Sequence, residues 1–150
     1  MNEAYKAYEE LLLSDYQTIN LIFHSIYMLA MQDKNMGKAH MLTEKQRELA
    51  GLFEMGEYYE ASSGLELATS EKDVDTTIET MERMIASLEK ISDFTKSVLY
   101  EHMEFKEINE DFYKDLHENL LSCFKDEETY GYMKKDRRWQ ELVYGKISCK

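Results

Sequence analysis

The stretch FEMGEYYEASSGLELAT, Phe53 to Thr69, decides the fold because a turn signal separates two helical patterns within it. Gly56 can adopt the left-handed backbone conformation that ends a helix, since it has no Cβ atom. The residues after it step by three or four, which places four of them on one side of a helix: Tyr58, Ala61, Leu65 and Ala68. The two alanines let a neighbouring helix approach closely. The stretch therefore predicts a helical hairpin with its corner at Gly56.

The same residues resemble part of a known repeat. In the second half of the tetratricopeptide repeat, a glycine and an aromatic residue precede an alanine, a large apolar residue and a second alanine. Those positions are filled here by Gly56, Tyr58, Ala61, Leu65 and Ala68. The resemblance implies a short helical array whose concave groove binds a peptide or a helix near Glu57 and Tyr58. The residues also fit an unrelated helical bundle with one glycine-turned corner, so both architectures stay open.

The composition favours long helices. The 150 residues include no proline and six glycines, whereas an average chain of this length has roughly seven prolines. Apolar residues keep helical spacing over long segments, and no segment alternates as a strand would. We predict an all-α single domain over residues 1–150, with residues 129–150 as a basic C-terminal helix or tail. It is either a helical bundle or a short tetratricopeptide-like array, of about five to seven helices.

Local signals predict several helix boundaries. Thr43 followed by Gln46 matches a capping box, which would start a helix that runs to Met55. Residues 74–98 keep apolar spacing without glycine or proline and predict one long amphipathic helix. Asn109 precedes two acidic residues and predicts a helix N-cap. The buried face of the helix that follows would comprise Phe112, Leu116, Leu120 and Phe124.

The C-terminal segment predicts one more helix. It ends at Gly145, and its apolar contacts would be Met133, Trp139, Leu142 and Val143. Four tyrosines lie beside rather than on the apolar stripes and are either exposed contact residues or partly buried at helix boundaries: Tyr59, Tyr100, Tyr113 and Tyr132. The basic run from Lys134 to Arg138 is an isolated patch, which favours a solvated turn or a contact with acids of the same chain over nucleic-acid binding.

The charge indicates the kind of partner. A net charge of -12 opposes non-specific attraction to nucleic acid or to an anionic membrane. It favours a protein with a basic surface, for which acids supply steering and tyrosines supply contact area. We predict a partner-binding surface made of Glu54, Glu57, Tyr58, Glu60, Glu101, Glu104 and Glu107, the last three along one side of a helix. The net-positive tail could also dock on a second copy, so homo-oligomer formation stays open.

The sequence lacks the patterns of catalytic and metal sites. None of the four histidines follows a glutamate by three residues, the spacing that di-metal sites in helical bundles use. No glycine-rich phosphate loop, nucleophile elbow or histidine-zincin spacing is present. Cys123 and Cys149 do not form a CxxC pair. We predict a non-enzymatic protein without catalytic residues, cofactor or metal ligands.

The predicted location is the cytoplasm. Two cysteines are too few for a disulfide framework, and the longest apolar run is too short to span a bilayer. The primary functional hypothesis is a protein–protein interaction module with an acidic binding surface. The alternative is a small inhibitor encoded by a phage or mobile element, of the anti-CRISPR or anti-restriction type. Such an inhibitor would imitate the charge of duplex DNA and block the nucleic-acid-binding surface of a host defence protein.

Overall fold

The computed structural model describes residues 1–145, and these residues form helices and turns without any strand. The α-helices are α1 (Asn2–Gln32), α2 (Met36–Leu52), α3 (Glu57–Ser62), α4 (Leu65–Ser70), α5 (Val74–Ser87), α6 (Glu110–Phe124), α7 (Glu127–Tyr130) and α8 (Arg137–Tyr144). Short 3₁₀ turns cover Leu88–Lys90, Asp93–Lys96, Val98–Tyr100 and Gly131–Met133. The predicted all-α class is confirmed. Within the described part of the chain, no helix has both the length and the apolar character that a membrane crossing requires.

Helices α1 and α2 form a hairpin joined by a short turn. Tyr27 and Ala30 of α1 pack against Ala39 and Leu42 of α2 in one buried cluster. Helix α2 begins earlier than predicted because the Asn35 side chain accepts a hydrogen bond from the Lys38 backbone N–H at 3.1 Å. That bond satisfies one of the free N–H groups at the helix start.

The capping box predicted at Thr43 is therefore wrong. Thr43 and Gln46 lie inside α2 and are both buried. The Gln46 amide donates to the Asn20 side-chain oxygen of α1 at 3.3 Å, so it ties the two helices together. The helix also ends at Leu52, before the predicted Met55.

The turn at Gly56 is confirmed. Gly56 has φ +99°, a conformation that residues with a Cβ atom rarely adopt. Ala61 and Ala68 are buried as the stripe predicted, but the stripe belongs to two helices, since Gly64 separates α3 from α4. A Cβ atom on Gly64 would lie 3.1 Å from the Arg47 guanidinium, so this close approach favours glycine.

The single long helix predicted over residues 74–98 is wrong, because α5 ends at Ser87. The Ser87 hydroxyl donates to the Arg83 carbonyl oxygen at 2.7 Å. Thr95 donates in the same way to the Ser92 carbonyl oxygen at 2.8 Å, and the Ser97 hydroxyl accepts from the Leu99 N–H at 3.1 Å. Hydroxyl groups that bond to nearby backbone compete with helical hydrogen bonds, and three of them do so within residues 87–97. The segment after Ser87 folds as 3₁₀ turns.

One consequence is the full burial of Tyr100, for which the sequence predicted either an exposed or a partly buried position. Tyr100 is 0 % exposed and its hydroxyl donates to the Phe53 carbonyl oxygen at 2.7 Å. The other three tyrosines of that prediction are half-buried: Tyr59, Tyr113 and Tyr132. The turn segment thus covers the corner between α2 and α3.

The largest buried cluster joins α5 to the C-terminal helices. Ile78 and Met81 of α5 are fully buried and belong to the same cluster as Phe124 and Trp139. The Trp139 indole N–H donates to the Phe124 carbonyl oxygen at 3.1 Å, which satisfies a free carbonyl at the end of α6. The contacts predicted for the last helix are confirmed at Met133, Trp139 and Val143, which are buried, and at Leu142, which is partly buried.

The termini of the later helices agree with their local signals. The Asn109 side chain accepts from the Phe112 N–H at 2.9 Å, so the predicted N-cap of α6 is confirmed. Helix α8 ends before Gly145, which has φ +82°.

Residues 146–150, including Cys149 and the end of the predicted basic tail, lie outside the described residues. Within the described part of that tail, Arg138 bonds to Asp75 at 2.7 Å, an intramolecular contact as predicted.

The buried face predicted for α6 is only partly correct. Phe124 at the C-terminal end is buried, Leu116 and Leu120 are half-buried, and Phe112 near the start is 47 % exposed. Helix α5 ends too early to cover all of α6. The N-terminal half of α6 therefore lies beside a turn segment rather than beside a helix, and a groove opens there.

Replacing Trp139 should lower stability in two separable steps. Trp139→Phe keeps most of the apolar contact but leaves the Phe124 carbonyl without its donor, so the free energy of unfolding should fall by about 1–3 kcal/mol. Trp139→Ala also creates a cavity and should cost about 3–5 kcal/mol. Urea unfolding followed by circular dichroism measures both. Val98→Ala, at an exposed position, is the control and should change stability by less than about 0.5 kcal/mol.

Acid should weaken the cap of α8. Hydrogen bonds from Arg138 hold the pKa of Asp136 below its usual range, and Asp136 caps the helix through the Trp139 N–H at 3.2 Å. Because the pKa of Asp136 is lower in the folded chain than in the unfolded chain, the ionised carboxylate stabilises the fold at pH values above the unfolded pKa of about 3.9. This stabilisation is lost as the pH falls through the folded-state pKa. Asp136→Asn should therefore flatten the acid limb of a pH-dependent unfolding curve. An unchanged limb would contradict this assignment.

Candidate functional site

A groove between the end of α5 and the N-terminal half of α6 forms an open cavity in the described part of the chain. Its volume is about 960 Å³, which is in the range of about 300–1,000 Å³ that ligand sites occupy. The apolar part of its wall consists of Ile85, Ala86, Leu88 and Tyr113. Leu88 is buried and forms the floor, whereas Tyr113 is half-buried and stands at the side.

The charged part of the groove wall is predominantly acidic. It contains Glu89 in the 3₁₀ turn after α5 and four residues of α6, namely Glu110, Lys114, His117 and Glu118. All five are exposed. Within residues 1–145, none of the three glutamates forms an ion pair or a side-chain hydrogen bond. The groove therefore presents free carboxylates around an apolar floor.

No local pattern in the sequence marks this groove. Glu89 and Glu118 come from segments far apart in the chain, and they meet because α6 packs beside the end of α5. Two residues of the groove carried a signal: Glu110 follows the predicted cap at Asn109, and Tyr113 lies beside the predicted apolar stripe. The sequence prediction of partner-binding acids fell on neighbouring segments instead.

The first group of predicted binding residues makes contacts within the chain. Glu57 accepts a hydrogen bond from the Arg83 guanidinium at 2.6 Å, which joins α3 to α5. Glu54 accepts from the Ser97 hydroxyl at 2.9 Å. Tyr58 is partly buried against the main apolar cluster, and the Glu60 carboxylate lies over Gly51 of α2. A partner that bound Glu57 would have to replace Arg83.

The second group of predicted binding residues is more open. Glu101, Glu104 and Glu107 are exposed, and Glu104 and Glu107 form no ion pair within the described residues. The prediction that a helix carries them is wrong, since the long helix ended at Ser87 and residues 101–109 contain none. The two groups of predicted binding residues begin close together in space, because the Tyr100 hydroxyl bonds to the Phe53 carbonyl oxygen. The second segment then leads directly into Glu110 of the groove.

A buried glutamate fixes the start of that second segment. Glu9 of α1 is 8 % exposed and accepts the backbone N–H of His102 at 2.8 Å through Oε1. Its Oε2 lies 2.6 Å from Nδ1 of the His102 ring. Tyr5 stacks on the same ring, with 4.5 Å between the ring centroids. His102 therefore holds the acidic segment against α1.

A second, smaller cavity of about 180 Å³ lies between α1, α2 and the short helices α3 and α4. Its polar side chains make contacts within the chain: His24 contacts Glu66 at 2.8 Å, and Ser62 and Ser63 both donate to the Tyr59 carbonyl oxygen. Burial, with nearby Tyr59 and Tyr100, raises the pKa of Tyr16 to about 12. The His24–Glu66 contact connects α1 to α4, whereas the two serine contacts are local to α3 and its C-terminal end.

The described residues contain no cluster of three or more histidine, cysteine or acidic side chains arranged to hold a metal ion. The prediction of a protein without catalytic residues, metal or cofactor stays a prediction. Among residues 1–145, the groove is the place where unpaired charge, apolar surface and sufficient volume coincide.

No protein-family model, curated protein or solved structure matches this chain. The tetratricopeptide resemblance of residues 56–68 therefore stays a prediction. The functional proposal depends on the side chains of the groove and on the charge around it.

Removal of the Glu9 carboxylate should release the acidic segment. Glu9→Ala leaves both the His102 N–H and its ring without their acceptor, so the free energy of unfolding should fall by about 1–3 kcal/mol. Backbone amides of residues 101–108 should exchange faster with deuterium. Glu10→Ala, at the exposed neighbouring position, is the matched control. Equal exchange in the two variants would contradict the role assigned to Glu9.

Proposed function

We propose that this chain is a non-enzymatic protein–protein interaction module, and that the groove between α5 and α6 binds a basic amphipathic segment of another protein. The observation that carries the proposal is the combination, in one groove of about 960 Å³, of an apolar floor with three unpaired carboxylates. A helix that docks in a groove buries one apolar face and keeps its polar side chains at the rim.

The charge of the groove selects the occupant. Three glutamates and one lysine line the rim, so a segment with lysine or arginine beside its apolar face would be attracted and an acidic segment repelled. The net charge of -12 acts in the same direction at longer range. Two acids elsewhere are less available, because Glu57 pairs with Arg83 and Asp75 pairs with Arg138.

The predicted binding residues take different parts in this proposal. Glu101, Glu104 and Glu107 lie on the segment that enters α6, where they would steer a basic partner toward Glu110. Contact with Glu54, Glu57, Tyr58 and Glu60 stays a prediction. If the tetratricopeptide resemblance holds, α3 would belong to the same binding surface, since it packs against α5. The proposed location is the cytoplasm.

The alternative function is the inhibitor that imitates nucleic acid. It shares the acidic surface but does not use the apolar floor. A DNA mimic would bind through charge alone and would weaken steeply with salt, whereas groove binding retains an apolar component. The two functions can therefore be separated by measuring whether binding depends on the order of residues in the bound segment.

Groove binding can be tested with a labelled probe peptide of leucine and lysine that forms a basic amphipathic helix. Fluorescence anisotropy should show saturable binding, and Glu118→Lys should raise the dissociation constant roughly tenfold, a loss of about 1.4 kcal/mol. A peptide of the same composition in scrambled order should bind more weakly, because it cannot present one apolar face. Circular dichroism checks that each variant remains folded.

Asp115→Lys is the matched control, because Asp115 is exposed on α6 but does not line the groove. It makes the same change of charge on the same helix and should weaken binding much less than Glu118→Lys. Equal effects of the two variants, together with equal binding of the scrambled peptide, would overturn the groove proposal in favour of charge mimicry.

A further inference from the structure

The outer side of α1 is an exposed apolar face with a regular repeat. Ile19, Ile22, Ile26 and Leu29 follow one another by three, four and three residues. This is the spacing of a seam at which helices pair. Ile22 is 52 % exposed and Leu29 is 59 % exposed, whereas Ile19 and Ile26 are half-buried beside α2. We call these four residues the α1 seam.

The α1 seam lies on the opposite side of α1 from the short helices. His24 points toward α4, because it contacts Glu66 at 2.8 Å. Ile22 and Ile26 are each two residues from His24, which corresponds to about 200° around a helix. Nothing in residues 1–145 covers this side at Ile22 and Leu29.

Absence of charge distinguishes this part of α1 from the rest of the surface. The chain contains 18 basic and 30 acidic residues, yet residues 16–32 include no Asp, Glu, Lys or Arg. A solvent-facing helix normally carries charged residues on its outer side. An exposed stretch that is both apolar and uncharged is typical of a surface that pairs with another protein.

We propose that the α1 seam is the interface of a homodimer, in which the outer sides of two α1–α2 hairpins pack against each other. Two copies with a net charge of -12 each repel over most of their surfaces, and this repulsion is smallest where both faces are uncharged. An apolar seam is also self-complementary, as a closed two-fold interface requires. A basic or acidic partner would gain little from a face that offers no opposite charge.

The available area indicates the strength of the dimer. Two α1 helices alone would bury roughly 300 Å² per copy, which is small beside the roughly 800 Å² of a standard interface. Interfaces at the small end of the range belong to weak, transient complexes, so this area predicts a weak and reversible dimer.

Sedimentation velocity of the full chain tests the dimer. The mass should rise from 17.8 kDa toward twice that value as the protein concentration increases through the micromolar range. Ile22→Glu places two like charges in a two-fold interface and should raise the dissociation constant more than tenfold. Val98→Glu is the matched control, because Val98 is 74 % exposed and lies outside the α1 seam. Circular dichroism should give equal helix content for all three proteins.

A wild-type chain that stays monomeric throughout would overturn the proposal, as would equal dissociation of the Ile22→Glu and Val98→Glu proteins. The result is independent of the groove. Added salt should leave the uncharged dimer interface intact or strengthen it, whereas it should weaken the binding of a basic peptide. Ile22→Glu should also leave peptide binding unchanged, so the two proposals can fail separately.

Discussion

The Ser87 hydroxyl donates a hydrogen bond to the Arg83 carbonyl oxygen at the last turn of α5, and the arrangement of the second half of the chain depends on where this helix ends. The apolar repeat continues to Val98, so packing alone would favour a longer helix. The hydroxyl groups of Ser87, Thr95 and Ser97 instead bond to nearby backbone. The chain therefore turns away from the axis of α5 and buries Tyr100 over the corner at Gly56.

The early end of α5 also explains the groove. Helix α6 is anchored at its C-terminal end, where Phe124 is buried and its carbonyl accepts from Trp139. At its N-terminal end α6 has no long helix beside it, and Glu110 and Glu118 stand across from Glu89 without ion pairs in the described chain. A continuous helix over residues 74–98 would have filled this space. Local competition for backbone hydrogen bonds thus creates the candidate site.

Features controlled by neighbours in the sequence could be predicted, and features controlled by distant contacts could not. Asn109, Gly56 and Gly145 were assigned correctly because capping and positive φ depend on a few adjacent residues. Burial of Tyr100 depends on the Phe53 carbonyl, and the groove depends on how α6 lies against α5. The start of α2 was missed because two capping signals compete, and Asn35 precedes Thr43 in the chain.

The protein has two surfaces of different character: the acidic groove between α5 and α6, and the uncharged α1 seam. The central claim is that a basic amphipathic segment binds in the groove, and NMR chemical-shift mapping with the leucine–lysine peptide tests it most directly. The account predicts shifts concentrated at residues 85–89 and 110–118. Shifts spread over all exposed acidic segments, or confined to the corner around Glu57 and Tyr58, would contradict it.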